Sequence, residues 1–119
     1  MKTIGIVGSR RRDTVDDLQD VKGAFASIYK YGDTLVSGGC PKGADRFAEL
    51  VAKEYKIPIT VHYAEWKLLG KMAGIARNGL IARDADVLIA CVASDRTGGT
   101  EDTIRKFKKH HPEGEVIIV

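Results

Sequence analysis

Residues 85–92 read Ala85-Asp86-Val87-Leu88-Ile89-Ala90-Cys91-Val92, and every residue from Val87 onward is apolar. An unbroken apolar run predicts a strand that is buried on both faces, as strands of parallel sheets usually are. Four further apolar runs predict four more strands, at residues 3–7, 34–37, 58–62 and 115–119.

Between these runs, apolar residues recur every three or four positions, which predicts helices with one core-facing side. This spacing occurs within residues 15–28, 47–55 and 103–107, and residues 64–82 predict a short helix or turn around Trp66 followed by a helix around 73–78. Strands that alternate with such long crossovers predict an α/β fold. We expect a single small Rossmann-like three-layer sandwich over residues 1–119, with a mostly parallel five-stranded sheet.

Length and composition fit one globular domain. The chain has 119 residues and 19 Lys and Arg against 16 Asp and Glu, so its net charge is +3. A hydrophobic share of 44% with 29% charged residues excludes a disordered or fibrous chain. No apolar run approaches the roughly 20 residues of a membrane span. The apolar stretch near the start of the sequence is too short for that of a signal peptide. We therefore expect a cytoplasmic protein with no membrane partner.

The cysteines indicate neither a disulfide scaffold nor a metal site. The chain has two cysteines, Cys40 and Cys91, which are too few for a disulfide scaffold. Their spacing matches no metal-ligand motif. We expect no metal and no cofactor. Cys91, inside the apolar run, fits the core, and Cys40 fits a small loop residue better than a nucleophile, because no histidine is near it in sequence.

Three loops at the predicted carboxyl ends of the strands are rich in glycine, hydroxyl and basic residues, and ligands of such sheets bind there. Glycine lets the backbone approach an anion closely, and the free N–H groups of a following helix point at it. The loops therefore predict a site for a phosphate-bearing ligand. Its candidate contacts are Gly8, Ser9 and Arg10, then Ser37, Gly38, Gly39, Gly43 and Asp45, and finally Gly98, Gly99 and Thr100.

The alternative for any one loop is that its glycines only permit a tight turn. Three such loops together at the carboxyl ends of the strands favour a ligand site over three unrelated tight turns. Two standard phosphate fingerprints are absent: residues 5–8 do not continue as G-x-G-x-x-G, and residues 38–43 lack the GK[ST] ending of a Walker A loop. Their absence argues against an ordinary nicotinamide dehydrogenase and an ATPase.

Three blocks of the chain resemble a known family. Val36-Ser37-Gly38-Gly39-Cys40-Pro41-Lys42-Gly43-Ala44-Asp45-Arg46-Phe47-Ala48 resembles the SGG-x-x-GAD-x-x-A signature of the SLOG superfamily, in its YspA/YpsA-related branch. Trp66 with Gly70-Lys71-Met72-Ala73-Gly74-Ile75-Ala76-Arg77-Asn78 is similar to the W…GK-x-AG-x-x-RN segment, and Gly98-Gly99-Thr100-Glu101-Asp102-Thr103 to the GGT-x-x turn. The blocks lie in the family's order and span nearly the whole chain.

The resemblance implies a Rossmann-like domain that binds or processes nucleotides or nucleotide-derived ligands. Related branches are the lonely-guy phosphoribohydrolases, once described as lysine decarboxylases, and the DNA-processing protein A family. The hydrolases carry PGG-x-GT-x-x-E, whereas here Thr97-Gly98-Gly99 leads directly into Thr100-Glu101. The acid thus follows the threonine by one place instead of three. Because the hydrolases work as dimers, the resemblance also implies a homodimer.

Several side chains in these blocks have two interpretations. Arg77 would clamp a phosphate and Asn78 would hydrogen-bond ribose or base, or they are a solvated arginine and an adjacent cap. Asp45 orients Arg10 or Arg77, accepts from ribose hydroxyls, or merely complements its helix dipole. Glu101 is the candidate catalytic acid if an N-glycosidic bond is cleaved, and otherwise a first-turn acid.

Two features outside the loops also have alternatives. Trp66 either stacks on a base or anchors packing. The cations Lys106, Lys108 and Lys109 complement the end of a helix or, as the weaker interpretation, contact DNA.

The leading prediction is a protein that binds or senses a nucleotide or nucleotide-derived ligand. The alternatives are an N-glycosidic nucleotide hydrolase and, by analogy with DNA-processing protein A, a single-stranded DNA-binding protein. Nucleic acid is the weakest of the expected partners.

Overall fold

One sheet of five strands organises the structure. The computed structural model describes residues 1–119, and its strands are β1 (Thr3–Gly8), β2 (Thr34–Ser37), β3 (Ile59–Val61), β4 (Val87–Cys91) and β5 (Glu115–Ile118). They pair in the order β3-β2-β1-β4-β5, and every pairing is parallel. The predicted Rossmann-like α/β sandwich is confirmed, with a sheet that is parallel throughout.

Four longer helices and one single-turn helix connect the strands. They are α1 (Val15–Ile28), α2 (Ala44–Tyr55), the single turn α3 (Trp66–Leu69), α4 (Ala73–Asp84) and α5 (Gly99–His110), with a 3-10 turn at Gly70–Met72. The strand predicted to start at Ala85 begins at Val87. The reason is that the N–H of Ala85 still closes the last turn of α4, donating to the carbonyl of Ile81 at 3.0 Å.

The helices cover both faces of the sheet. Those before β3, α1 and α2, share one apolar core with the sheet, whose largest members include Ile4, Ile6, Phe25 and Phe47. The later helices α4 and α5 share a second core on the other face, with Val7, Ile81, Leu88 and Phe107. Successive β1 residues enter opposite cores because side chains of a strand alternate between the two faces.

All five residues of β4 are buried, as its apolar run predicts. Cys91 belongs to the first core, and burial raises the pKa of its thiol to about 11. The cysteine is therefore a neutral packing residue. None of the helices combines the length and the apolar character needed to cross a membrane.

The topology opens a crevice at the middle of the sheet. The chain leaves β1 toward α1 on one face, whereas it leaves the neighbouring strand β4 toward α5 on the other face. Connections that diverge in this way leave space between the carboxyl ends of the two strands, which is where parallel α/β sheets bind ligands.

A buried carboxylate, Asp33, joins elements at the amino ends of the strands, away from the crevice. Asp33 is 3% exposed and accepts the backbone N–H groups of Lys2 and Lys30, both at 2.9 Å, as well as the Lys2 ammonium. Burial alone would raise the pKa of Asp33, but Lys2 and the two N–H groups bring it down to about 2. This carboxylate therefore joins the starts of β1 and β2 to the end of α1.

We predict that Asp33→Asn lowers the free energy of unfolding by about 2 kcal/mol at neutral pH, because an amide loses the ion pair and leaves a buried donor without an acceptor. The Asp33 contribution is present above about pH 4 and is lost as the pH falls toward 2, because its pKa is lower in the folded than in the unfolded chain. The difference between the two proteins should therefore shrink over that range.

Urea unfolding at several pH values measures this difference. Glu113→Gln is the control, because Glu113 is exposed in the turn before β5. An Asp33→Asn protein that is as stable as this control at neutral pH would contradict the assignment.

Candidate functional site

A cavity of about 400 Å³ lies in the crevice between β1 and β4. Nine of the thirteen predicted ligand contacts line it: Gly8, Ser9, Arg10, Asp45, Arg77, Asn78, Gly98, Gly99 and Thr100. Six further residues complete the lining: Val7, Arg11, Cys40, Ile81, Thr97 and Thr103. The loops after β1 and β4 and the helices α2, α4 and α5 thus meet at one place.

The start of α5 presents unused donors to this cavity. Its N-cap residue Gly98 has a φ of 105°, a conformation that favours glycine, and no side chain caps the helix. The N–H groups of Gly99 and Thr100 have no backbone acceptor, as expected for a first turn. The Thr100 side chain lines the cavity, is buried, and its hydroxyl makes no hydrogen bond with the protein.

Arg10 is the free cation of the site. Seven of the eight arginines in the chain donate to a carboxylate or carbonyl of the protein, and Arg10 alone does not. Its neighbour Arg11 is held by Asp95, with two N–H···O distances of 2.8 Å. Arg12 is held by Asp17 at 2.9 Å. The three consecutive arginines are therefore not equivalent, and only the first is available to a ligand.

The loop after β2 supports the cavity more than it lines it. Ser37, Gly38, Gly39 and Gly43, which the sequence predicts as ligand contacts, do not line the cavity. The N–H of Gly43 donates to Asp13 at 2.7 Å, so a carboxylate of the protein already binds the start of α2. That N–H and Arg46 lower the pKa of Asp13, which is therefore ionised.

Asp45 likewise binds a backbone N–H group of this loop. Its Oδ2 accepts the N–H of Cys40 at 3.1 Å and lies 4.0 Å from Nη1 of Arg77. A side chain at Gly38 would have its Cβ within 2.8 Å of that same oxygen and 2.7 Å of the guanidinium. Glycine at this position therefore allows Asp45 and Arg77 to face each other.

The hydroxyl of Ser37 lies between two acceptors, one of which is Asp45. Oγ of Ser37 lies 2.6 Å from the carbonyl oxygen of Ile6 and 3.0 Å from Oδ1 of Asp45. A hydroxyl has one hydrogen to share between these two acceptors, and the shorter distance favours the carbonyl of Ile6 over Oδ1 of Asp45. This arrangement suits a protonated carboxyl. Burial also raises the pKa of Asp45, against the opposing effects of Cys40 and Arg77.

Arg77 and Asn78 connect the two sides of the cavity. Nη1 of Arg77 donates to the carbonyl of Gly38 at 2.7 Å, and its Nε donates to Oδ1 of Asn78 at 3.1 Å. Nδ2 of Asn78 then donates to the carbonyl of Gly99 at 3.2 Å. Both side chains are mostly buried, so they are positioned parts of the wall and not a solvated arginine with a cap.

A shallower groove of about 450 Å³ continues from the cavity. Arg10, Arg77, Asn78, Gly98 and Gly99 line both volumes, so the two form one cleft. The groove is completed by Trp66, Lys71, Gly74, Ile75 and Asp102. We call the deeper part the cavity and the shallower part the groove.

Glu101, the candidate catalytic acid, lines neither part of the cleft. Its two carboxylate oxygens accept from Arg96, each at 2.9 Å. No group of three or more His, Cys, Asp and Glu residues is arranged to hold a metal ion.

The partner of Gly43 could not have been inferred from the sequence. Asp13 lies thirty residues before Gly43, in a different loop, and no spacing rule relates the two. Arg11 likewise carries no signal that distinguishes it from its neighbours, because its partner Asp95 comes from the loop after β4.

Comparison of the chain with protein-family models, with curated proteins and with solved structures found no match. The resemblance to the SLOG superfamily, and the homodimer that it implies, therefore stay predictions that depend on the sequence blocks alone.

We predict that Asp45→Asn keeps the fold, because an amide can accept from Cys40 and donate to Ser37 just as a protonated carboxyl does. A raised pKa means that ionisation of Asp45 lowers wild-type stability as the pH rises above about 4. The asparagine variant cannot ionise there. The free energy of unfolding of the variant, relative to that of the wild type, should therefore increase between pH 4 and pH 8.

Chemical unfolding of both proteins across this pH range tests the prediction. Asp16→Asn, which removes an exposed carboxylate, should run parallel to the wild type. A stability difference for Asp45→Asn that stays constant or moves the other way would show that Asp45 is ionised in the folded protein.

Proposed function

We propose that this protein binds a nucleotide or nucleotide-derived ligand, with a phosphate held in the cavity at the start of α5. The observation that carries the proposal is that free donors converge there. Arg10 has no acceptor in the protein, the Thr100 hydroxyl has no partner, and the first N–H groups of α5 have no backbone acceptor. A helix start with a guanidinium beside it matches the charge and donor requirements of a phosphate.

The raised pKa of Asp45, which favours its protonated form, supports the same assignment. An ionised carboxylate in the cavity wall would repel a phosphate, whereas a protonated one leaves Arg10 and Arg77 as the net charge of the cavity. The remaining lining cation, Arg11, is already neutralised by Asp95. The sequence resemblance to a nucleotide-binding superfamily supports a nucleotide rather than a simple anion.

The geometry favours binding over hydrolysis. A general acid must lie within hydrogen-bond reach of the bond that it cleaves, and Glu101 instead forms a bidentate pair with Arg96 outside the cleft. Single-stranded DNA binding is also less well supported. Lys108 and Lys109 lie near the end of α5, about 14 Å along its axis from the helix start, where the free donors are.

We predict that AMP, ADP-ribose or a cyclic nucleotide raises the melting temperature of the protein. A ligand at 100 times its Kd adds about 2.7 kcal/mol to the free energy of unfolding. Arg10→Ala should weaken phosphate binding roughly tenfold or more, because hydrogen bonds to charged groups are worth about 1.5–3 kcal/mol. Thermal shift and calorimetric titration measure both effects.

Arg83→Ala is the matched control, because it removes an exposed arginine that lines neither part of the cleft. This variant should bind as the wild type does. If no phosphate-bearing compound of the panel shifts the melting temperature, or if Arg10→Ala and Arg83→Ala bind equally well, the proposed function is wrong.

A further inference from the structure

The groove beside the cavity contains the only tryptophan of the chain. Trp66 is 55% exposed and lines the groove together with Gly74 and Ile75. Burying its ring would be favourable, yet the fold leaves more than half of the side chain in solvent.

Core packing does not explain this tryptophan. The helix α3, which begins at Trp66, buries none of its side chains, and the following 3-10 turn buries none either. The ring instead approaches the first turn of α4, where a Cβ on Gly74 would lie 3.5 Å from Cη2 of Trp66. Because Gly74 has no side chain, the wall of the groove beside the indole stays open.

The charges of the groove differ from those of the cavity. Of the residues that line the groove alone, Lys71 and Asp102 carry opposite charges. Burial tends to raise the pKa of Asp102, but Lys106 at 3.0 Å and Asn78 at 3.2 Å keep it below its usual value, so this carboxylate is ionised. Lys71 and Asp102 offset each other, so the part of the groove beyond Arg10 and Arg77 has no net charge, and an uncharged aromatic group suits it.

We propose that the indole of Trp66 stacks on the base of the bound nucleotide, so that the ligand lies with its phosphate in the cavity and its base in the groove. This assignment rests on the proposed function. It restricts the ligand class to phosphates that carry an aromatic base and excludes plain sugar phosphates as full occupants of the cleft.

The residues shared by the two volumes fit the middle of such a ligand. Arg77 and Asn78 line both volumes and lie beside the sugar between phosphate and base, while Arg10, Gly98 and Gly99, which also line both, face the phosphate. The ionised carboxylate of Asp102 in the groove can accept an N–H from the edge of the base. Stacking on one open aromatic face discriminates weakly among bases, so we expect purine nucleotides to share the site.

The single tryptophan makes the proposal directly measurable. AMP and ribose 5-phosphate are added separately to the wild-type protein while the indole emission is recorded, and calorimetry gives their affinities. AMP should change the emission and ribose 5-phosphate should leave it nearly unchanged. Trp66→Leu should weaken AMP binding at least about fivefold, which is the low end of measured base–aromatic stacking, without weakening ribose 5-phosphate.

Trp66→Phe should recover part of the AMP affinity, since a smaller ring can still stack. Tyr31→Leu is the control for removing an exposed aromatic ring, because Tyr31 is 97% exposed at the opposite edge of the sheet, in the turn before β2. The control variant should bind AMP as the wild type does.

The outcomes separate the two proposals. If AMP binds but Trp66→Leu leaves its affinity unchanged, or if ribose 5-phosphate alters the emission as much as AMP, the stacking assignment is wrong and the phosphate site stands. If neither compound nor any other nucleotide binds, the proposed function fails and the stacking assignment fails with it.

Discussion

The divergence of the chain at β1 and β4 is the constraint on which the site depends. These two strands pair along five residues, yet their following loops must reach helices on opposite faces of the sheet. No loop can therefore close the gap above the pair. Gly8 at the end of β1 keeps the gap narrow at its base, since a Cβ there would lie within 2.8 Å of Ala44 and Cys91. The cleft is a product of topology that a few close contacts then shape.

In and around that cleft, carboxylates of the protein already bind several of the groups that could otherwise bind an anion. Asp13 binds the start of α2, Asp95 binds Arg11, and Asp45 contacts Ser37. What remains unpaired in the cavity is Arg10 and the start of α5. A helix start is an anion site only when no carboxylate of the protein already binds it, and this chain contains one example of each condition.

The sequence predicts the fold more completely than the site. Apolar runs and helical spacing identify the strands and longer helices because burial of apolar surface is a local property of the pattern. Hydrogen-bond partners are not local. Gly43 and Gly98 look alike as glycines before a helix, yet only the structure reveals that Asp13 accepts from the first and that no side chain caps the second. Glu101 is a similar case, because its partner Arg96 turns it away from the cleft.

The hydrogen bonds of Arg77 and Asn78 make the side of the cleft formed by α4 and α5 rigid, whereas the side formed by α3 is held less firmly. Widening the cleft on the side of α5 would break bonds of 2.7 and 3.2 Å to Gly38 and Gly99. The side of α3 buries no side chain and has little to lose when it moves. A displacement of α3 would therefore leave the hydrogen bonds of Arg77 and Asn78 in place.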